Sequence, residues 1–157
     1  MQLNFRFANI RDANLYFEWA NDELVREFSY SKANITYADH VAWFTKELAS
    51  GMTFFYLFEN EMNIPVGQVR IQMKLNNIAV IGVSIAKDNR GRGYGSRLIK
   101  IASDNFLFTH PDQTIHAYII KENKSSLKAF MKAGFILLSE SIGDGMLSNV
   151  LYKDKPC

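Results

Sequence analysis

The sequence predicts a mixed α/β (α+β) domain with an antiparallel middle section. Residues that alternate between apolar and polar mark strands at the start of the chain and through its middle. Two of the middle strands are joined by Asn76-Asn77, a pair typical of tight hairpin turns. Apolar residues then recur every four positions over Tyr94–Phe106 and predict a long amphipathic helix. This order of elements differs from a plain alternating doubly wound sheet.

Caps and turn residues set the expected boundaries of the elements. Asp12 is expected to cap the first helix, and Thr36, with Asp39 three residues later, has the spacing of a loose capping box for the third. Gly51 ends that helix, and Pro111 breaks the chain after the long one. The expected elements are a strand at 3–7, helices at 12–22, 23–28 and 36–50, strands at 53–58, 66–75 and 78–86, a helix from 94, a strand at 114–120, a helix at 123–133 and a final strand pair ending near 152.

Length and composition indicate one ordered domain over 1–157, with 48% hydrophobic and 22% charged residues. The net charge of +2 is too small to indicate nucleic-acid binding. No run of residues suits a membrane span or a secretory signal. The single cysteine, Cys157, allows no intrachain disulfide. We therefore expect a cytoplasmic protein without a nucleic-acid, membrane or metal partner.

The strongest functional signal is Asn89–Ser96, a segment with three glycines at alternate positions between a strand and a helix. Glycines let the backbone turn tightly and approach a ligand closely. The first N–H groups of a helix lack internal partners and lie at the positive end of its dipole, so they suit a diphosphate. The residues expected to contact it are Arg90, Gly91, Arg92, Gly93, Tyr94, Gly95 and Ser96.

The spacing of these glycines separates three kinds of phosphate loop. A dinucleotide fingerprint has Gly-x-Gly-x-x-Gly near the start of a strand–helix–strand unit, and a Walker A loop has Gly-Lys-Ser/Thr. Neither pattern is present here. The pattern Arg-x-x-Gly-x-Gly at Arg90, Gly93 and Gly95 instead resembles the acetyl-CoA pyrophosphate loop of the GNAT superfamily. The resemblance extends from the first strand to the last.

This resemblance implies a mixed, mostly antiparallel sheet of about seven strands flanked by about four helices. It also implies transfer of an acetyl group from acetyl-CoA to a primary amine in a ternary complex. A backbone N–H of the strand before the glycine loop would polarise the thioester carbonyl, and the pantetheine arm would lie along Val83, Ser84 and Ile85. Gly82 is expected to mark a bulge that turns this backbone towards the ligand.

The stretch Glu122–Phe135 resembles the Asn-x-x-Ser…Gly-Phe segment of the same superfamily. The resemblance implies that Asn123, Ser126 and Phe130 line the pantetheine arm and the thiol. Asn and Ser also cap helices in general, and Gly-Phe is a common helix exit, so the stretch gains its weight from the glycine loop upstream.

The catalytic base is sought on the strand Thr114–Glu122, whose even positions share one face. That face carries His116, Tyr118 and Glu122. By resemblance to sugar acetyltransferases, Glu122 is the preferred base, acting directly or through a water. The alternative is a glutamate at a strand end that points into solvent. His116 is the second candidate, since a lone strand histidine is more often scaffold.

The general acid departs from the family pattern. Many GNAT enzymes carry a tyrosine seven residues after the helix asparagine, and this chain has Phe130 there. Tyr118, Ser126 or a water would then protonate the leaving thiolate. Unassisted departure is a further alternative, because a thiol has a pKa of about 8.5.

The amino-terminal part resembles GNAT enzymes that acetylate amino-sugar nucleotides, such as those of nonulosonic acid pathways. Arg26 would form a two-pronged contact with a diphosphate, and Trp43 or Tyr30 would stack on a base or sugar. In the alternative interpretation Trp19 and Phe44 are core residues and Arg26 is a solvated charge. The acceptor-binding residues implied by the resemblance are Asn21, Arg26, Ser29, Tyr30, His40 and Trp43.

The predicted acceptor is thus the amino group of a UDP-linked amino-dideoxy sugar. Two alternatives stay open at this point: an acetyltransferase of protein amino termini, and a non-catalytic module that binds acetyl-CoA. Phe130 in place of tyrosine is the reason for considering the last. The resemblance also allows a homodimer that pairs through the terminal strands.

Overall fold

Seven strands form one sheet in the order β1-β2-β3-β4-β5-β7-β6. The computed structural model describes residues 2–156, so Cys157 lies outside the described residues. Within them, five α-helices accompany the strands, and the short α2 is the helix predicted at 23–28. The elements are β1 Leu3–Phe7, α1 Ala13–Ala20, α2 Glu23–Glu27, α3 Tyr37–Ser50, β2 Thr53–Asn60, β3 Pro65–Met73, β4 Ile78–Ile85, α4 Tyr94–Thr109, β5 Thr114–Ile120, α5 Lys124–Lys132, β6 Ile136–Gly143 and β7 Met146–Lys153.

The sheet is mostly antiparallel, as predicted. The hairpin between β3 and β4 turns at Asn76 and Asn77, which both have positive φ angles, 61° and 59°. Only β4 and β5 run parallel, and Ile78–Val80 pair with Thr114–His116. Within residues 2–156 the two strands share no further pairs, although β4 continues to Ile85. The sheet therefore opens between β4 and β5.

Two apolar layers cover the two faces of the sheet. On one face α4 places Leu98 and Phe106, both fully buried, in the same cluster as Val69 and Ile71. This confirms the helical period predicted for Tyr94–Phe106. On the other face α1 and α3 pack against β2, with the rings of Tyr16 and Phe44 in contact with Phe55 and Leu57 beside them. Trp19 packs against this second cluster, as the core interpretation of that residue predicts.

The helix starts test the predicted caps. Thr36 Oγ1 accepts a hydrogen bond from Asp39 N at 3.2 Å, which confirms the cap of α3. Asp12 is the N-cap residue of α1, as predicted, but its side chain makes no capping hydrogen bond there, and a 3₁₀ turn precedes the helix. Asp12 is the third residue of that turn and accepts from the backbone N–H of Asn9 at 2.8 Å. Its carboxylate also accepts two bonds from Arg6, which lower the pKa of Asp12.

A buried lysine joins the end of the chain to the helices of the first layer. Lys153, 7% exposed, donates to Ser103 Oγ and Asp104 Oδ1, each at 2.8 Å, and to the carbonyl oxygen of Ala133 at 2.9 Å. Ala133 ends α5, where a positive charge complements the helix dipole. Lys153 thereby fixes α5 against α4 and β7. Across residues 2–156, none of the helices is both long and apolar enough to span a bilayer.

Candidate active site

A cleft of about 600 Å³ occupies the opening between β4 and β5. Its other walls are the glycine loop, the start of α4, the helix α5 and the short helix α2. Twelve of the thirteen residues predicted to bind the cofactor line it: Val83, Ser84, Ile85, Arg90, Gly91, Gly93, Tyr94, Gly95, Ser96, Asn123, Ser126 and Phe130. The thirteenth, Arg92, is exposed outside this lining.

The backbone of the glycine loop adopts the left-handed conformation twice. Gly91 has φ 76° and Gly93 has φ 78°, and a Cβ added at either would meet no atom within 4 Å. Gly93 is also the N-cap of α4, and as a glycine it supplies no side-chain cap. The positive end of the α4 dipole therefore opens into the cleft and suits an anion.

Arg90 has protein partners on both sides of the loop. Its Nη2 donates to Asp22 Oδ1 at 2.8 Å, and its Nε donates to the carbonyl oxygen of Ile85 at 3.1 Å. Asp22 is the N-cap of α2 and also accepts from the N–H of Leu24. Burial alone would raise the pKa of Asp22, but the hydrogen bond and charge of Arg90 outweigh it and lower that pKa. Arg90 thus links the phosphate loop to α2.

The strand β4 runs straight through the position predicted to be a bulge. Gly82 pairs in continuous register with Arg70 of β3, so the predicted bulge is wrong. A Cβ on Gly82 would lie 3.4 Å from Arg70 Nη2. Glycine at this position leaves room for the guanidinium group. The sequence pattern did not reveal this reason for the glycine.

The α5 wall combines a capped helix start with a core aromatic ring. Asn123 Oδ1 accepts from the N–H of Ser126 at 3.2 Å, as a helix N-cap does. Phe130 is buried and packs edge-on against Phe135. Phe130 therefore belongs to the hydrophobic core and offers no hydroxyl group at this position.

The predicted catalytic residues separate into two groups. Tyr118, 43% exposed, and Ser126 both line the cleft. Glu122 lies in the exposed turn between β5 and α5, outside that lining. The strand alternation that placed it beside His116 is wrong, because β5 ends at Ile120.

Only Ser29 among the predicted acceptor-binding residues lines the cleft. Arg26 uses its guanidinium group within its own loop. Nη1 donates to the carbonyl oxygens of Ser31 at 3.1 Å and Ala33 at 3.3 Å, and Nη2 donates to Ser29 Oγ at 3.3 Å. Burial lowers the pKa of Arg26, and its buried Nε has no partner within residues 2–156. The arginine therefore organises the loop that follows α2.

Two further predicted acceptor residues hold this loop in place. The side chain of Asn21 accepts from the N–H of Ile35 and donates to its carbonyl oxygen, both at 2.7 Å. The hydroxyl of Tyr30 shares a 2.5 Å hydrogen bond with Ser148 Oγ of β7. These contacts pin both ends of the segment that carries α2 over the sheet.

His40 and Trp43 lie on α3, above the sheet. His40 is buried and stacks on Phe44, and burial lowers its pKa. The Trp43 ring lies 5.3 Å from Arg70 Cζ in a cation–π contact. Trp43 therefore lies over the part of β3 and β4 where Arg70 pairs with Gly82. His40 belongs to the core.

Among residues 2–156, no cluster of three or more His, Cys, Asp or Glu side chains could hold a metal ion. The cleft itself offers backbone N–H groups and basic side chains for anion binding, together with hydroxyl groups near the strand opening. Comparison with known proteins identifies the reaction. The profile of the family described as Acetyltransferase (GNAT) domain matches residues 2–136.

This chain belongs to the GNAT acetyltransferase family. It is accordingly an acetyl-CoA-dependent N-acetyltransferase, and acetyl-CoA is its co-substrate. The chain is 27% identical to Acetyltransferase PseH of Campylobacter jejuni subsp. jejuni serotype O:23/36 (strain 81-176), across 98% of this chain and 94% of that protein. The resemblance noted from the glycine loop is thereby confirmed.

Solved GNAT structures share the fold. A spermidine N-acetyltransferase from Vibrio cholerae, solved with CoA and spermine, superposes with a TM-score of 0.85 at 16% identity and covers 97% of this chain and 95% of its own. The aminoglycoside acetyltransferase AAC(6')-Ib, solved with coenzyme A, gives 0.81 at 17% identity, with 98% and 95% covered. At such identities the likeness concerns the fold alone.

Sequence reasoning missed two sides of the GNAT cleft. Two apolar residues line it, Leu24 of α2 and Phe28 at the C-cap of that helix. Their i, i+4 spacing on a helix too short to form a core face could have indicated this role. Lys128 and Lys132 of α5 also line it at i, i+4 spacing. Such a basic stripe beside a phosphate loop indicates an additional anion contact.

The variant Gly93→Val is expected to weaken CoA binding at least about 100-fold, because a β-branched side chain opposes positive φ and would project into the open cleft. Isothermal titration with CoA measures this. Gly145→Val is the matched control, since Gly145 has φ 76° and equally open surroundings in the β6–β7 turn. We expect the control to lose stability but keep its CoA affinity. Undiminished CoA affinity in Gly93→Val would refute the phosphate-loop assignment.

The Asp22–Arg90 pair is expected to stabilise the folded protein in a pH-dependent way. Because the folded pKa of Asp22 is lowered, its contribution is complete above the unfolded value of about 3.9 and is lost as pH falls through the folded value. Asp22→Asn, which retains the helix cap, should reduce the unfolding free energy by about 1 kcal/mol at pH 7. Urea titrations from pH 7 to pH 3 should show this difference shrink below about pH 4. Asp88→Asn, at an exposed neighbouring site, is the control; an equal loss there would contradict the assignment.

Proposed function

We propose that this GNAT enzyme acetylates the primary amine of a UDP-linked amino-dideoxy sugar, within one catalytic domain over 1–157. The observation that carries the proposal is the charge of the cleft. Arg90, Lys128 and Lys132 are the charged residues among the described lining, which contains no carboxylate. These basic groups lie beside the phosphate loop and on α5, where they face the CoA phosphates, and a described lining without a carboxylate disfavours a polycationic acceptor. The amino-terminal resemblance to sugar-nucleotide acetyltransferases supports the same acceptor.

In the proposed complex the CoA diphosphate lies at the start of α4, against the N–H groups that follow Gly93. The pantetheine arm runs along Val83–Ile85, where β4 lacks a pairing partner on its β5 side. Backbone N–H groups in this opening polarise the thioester carbonyl, as preorganised donors do in other acyl transfers. Binding both reactants in one cleft supplies much of the rate.

The acceptor amine reaches the thioester from the sheet face that carries α1–α3. Gly82 and Tyr118 lie on that face at the strand opening. The amine nitrogen bonds to the carbonyl carbon, the C–S bond breaks, the nitrogen gives up a proton and the thiolate takes one. Tyr118 or Ser126 supplies the second proton in this proposal. Glu122 receives the first through water, because its side chain lies outside the lining.

A homodimer through the terminal strands stays a prediction. β6 is the edge strand of the sheet, and it exposes the side chains of Leu137, Leu138 and Ile142. An exposed apolar edge strand of this kind is a surface that proteins usually cover.

Acceptor specificity is tested by measuring thiol release from acetyl-CoA with a panel of amines. The panel contains a UDP-linked 4-amino-4,6-dideoxy sugar, spermidine, kanamycin and a peptide with a free amino terminus. We expect turnover of the sugar nucleotide, with kcat/KM at least about 100-fold above that of the polyamines. Thiol release with the peptide or a polyamine alone would reject the proposed acceptor. CoA binding with no turnover of any amine would indicate a non-catalytic module.

The role of Glu122 is tested by Glu122→Gln. We expect a lower kcat with the largest effect at low pH, where more of the amine arrives protonated, and an unchanged affinity for CoA. The pH profile of kcat measures this, and Glu61→Gln in the exposed β2–β3 turn is the control. A wild-type rate at every pH would remove Glu122 from the mechanism.

A further inference from the structure

Three polar side chains occupy consecutive inward positions of β3 on the sheet face that carries α1–α3. They are Gln68, Arg70 and Gln72, and their neighbours on β2 include Phe55 and Leu57. The face of a sheet beneath packed helices is normally apolar, because burying polar groups costs free energy unless they find partners. This polar row therefore needs an explanation that packing does not supply.

Arg70 lies at the centre of the row without an ion pair. No carboxylate of residues 2–156 comes within salt-bridge distance of it. Glu47 is the acidic group that acts on Arg70 electrostatically, but its carboxylate accepts from Gln72 Nε2 and Thr53 Oγ1, both at 3.0 Å. Burial lowers the pKa of Arg70, and the field of Glu47 opposes that effect. A half-buried guanidinium group without an ion pair is stabilised by a counter-ion.

The geometry directs Arg70 towards the cleft. Its Nη2 is 3.4 Å from the position that a Cβ of Gly82 would occupy, and the Trp43 ring covers its guanidinium plane at 5.3 Å. Gly82 lines the cleft at the point where β4 separates from β5. The guanidinium group therefore lies one strand away from the proposed path of the thioester.

Gln68 provides a second polar group without a partner beside Arg70. Gln68 is 8% exposed, and its buried Oε1 accepts no hydrogen bond from residues 2–156. Its Nε2 donates to Ser84 Oγ at 3.3 Å, and Ser84 lines the cleft. A buried acceptor atom without a partner lowers the stability of the fold unless a ligand donates to it. The row thus combines an unpaired cation and an unpaired acceptor next to one stretch of the cleft.

The other arginines near the cleft differ from Arg70 in this respect. Arg26 donates to Ser31 and Ala33, and Arg90 donates to Asp22. Their charges are therefore committed to the loop around α2. Arg70 has no such ion pair among the described residues.

We propose that Arg70 binds the phosphate group next to the amine-bearing ring of the acceptor and sets the preference of the enzyme for anionic amines. This inference rests on the proposed function. Adjacent strands are about 4.8 Å apart, a spacing similar to the width of a six-membered sugar ring. An amine at one side of the ring then reaches the thioester while a phosphate at the other side meets Arg70. The planar guanidinium group suits two parallel hydrogen bonds to phosphate oxygens.

The test compares Arg70→Gln and Arg70→Lys with wild type and with the control Arg11→Gln, at an exposed site. UDP is titrated into the CoA-saturated proteins, and KM is measured for the UDP-amino sugar and for its methyl glycoside, which has no phosphate. We expect Arg70→Gln to weaken UDP binding and to raise the KM of the UDP-amino sugar at least about 10-fold. The KM of the methyl glycoside and the affinity for CoA should not change. Arg70→Lys should fall between wild type and Arg70→Gln.

Each outcome decides between the phosphate-binding and structural roles. An equal rise in KM for both acceptors, or unchanged UDP affinity in Arg70→Gln, would overturn the assignment of Arg70, as would a wild-type protein that does not bind UDP. Should Arg70→Gln fail to fold, the same two comparisons apply to Arg70→Lys. Failure of the proposed function is seen separately, as wild-type protein that binds UDP through Arg70 yet acetylates no UDP-amino sugar.

Discussion

The short parallel pairing of β4 with β5 is the constraint on which the rest of the structure depends. The two strands pair over Ile78–Val80 and Thr114–His116 and then separate, so the sheet has an opening at its centre. Parallel strands need a long crossover, and here α4 supplies it and brings its amino terminus to the mouth of the opening. The anion site of the helix and the unpaired edge of β4 thus come from one topological feature.

Much of this arrangement could be predicted because its signals are local. Asn76-Asn77 and Thr36 define a turn and a cap through their own backbone and side-chain chemistry. The glycine loop likewise depends on φ angles that glycine adopts readily. Local propensities of this kind can be predicted from the residue types alone, and in this chain they agree with the tertiary fold.

The acceptor side was less predictable because its residues depend on loop conformations, strand ends and cross-strand contacts that residue patterns do not show. Arg26 had the chemistry of a diphosphate ligand, but the loop that folds back around it takes up its donors. Gly82 was expected to mark a bulge, and its significance instead lies in a side chain on the neighbouring strand. Glu122 was assigned to a strand face, although the strand ends two residues earlier. For Gly82 the deciding contact is with another strand, whereas Arg26 and Glu122 depend on how a loop folds back and on where a strand ends.

Cofactor and acceptor sides are joined through Arg90, so that the phosphate loop and α2 form one wall. We propose that main-chain N–H groups at the start of α4 hold the phosphates of CoA. Titration of isotopically labelled protein with CoA, followed through the backbone amide NMR signals, tests it most directly. We expect large, saturable shifts of the backbone amide signals of Gly91, Gly93 and Gly95. Saturation by CoA that leaves these three signals unmoved and shifts signals elsewhere would contradict it.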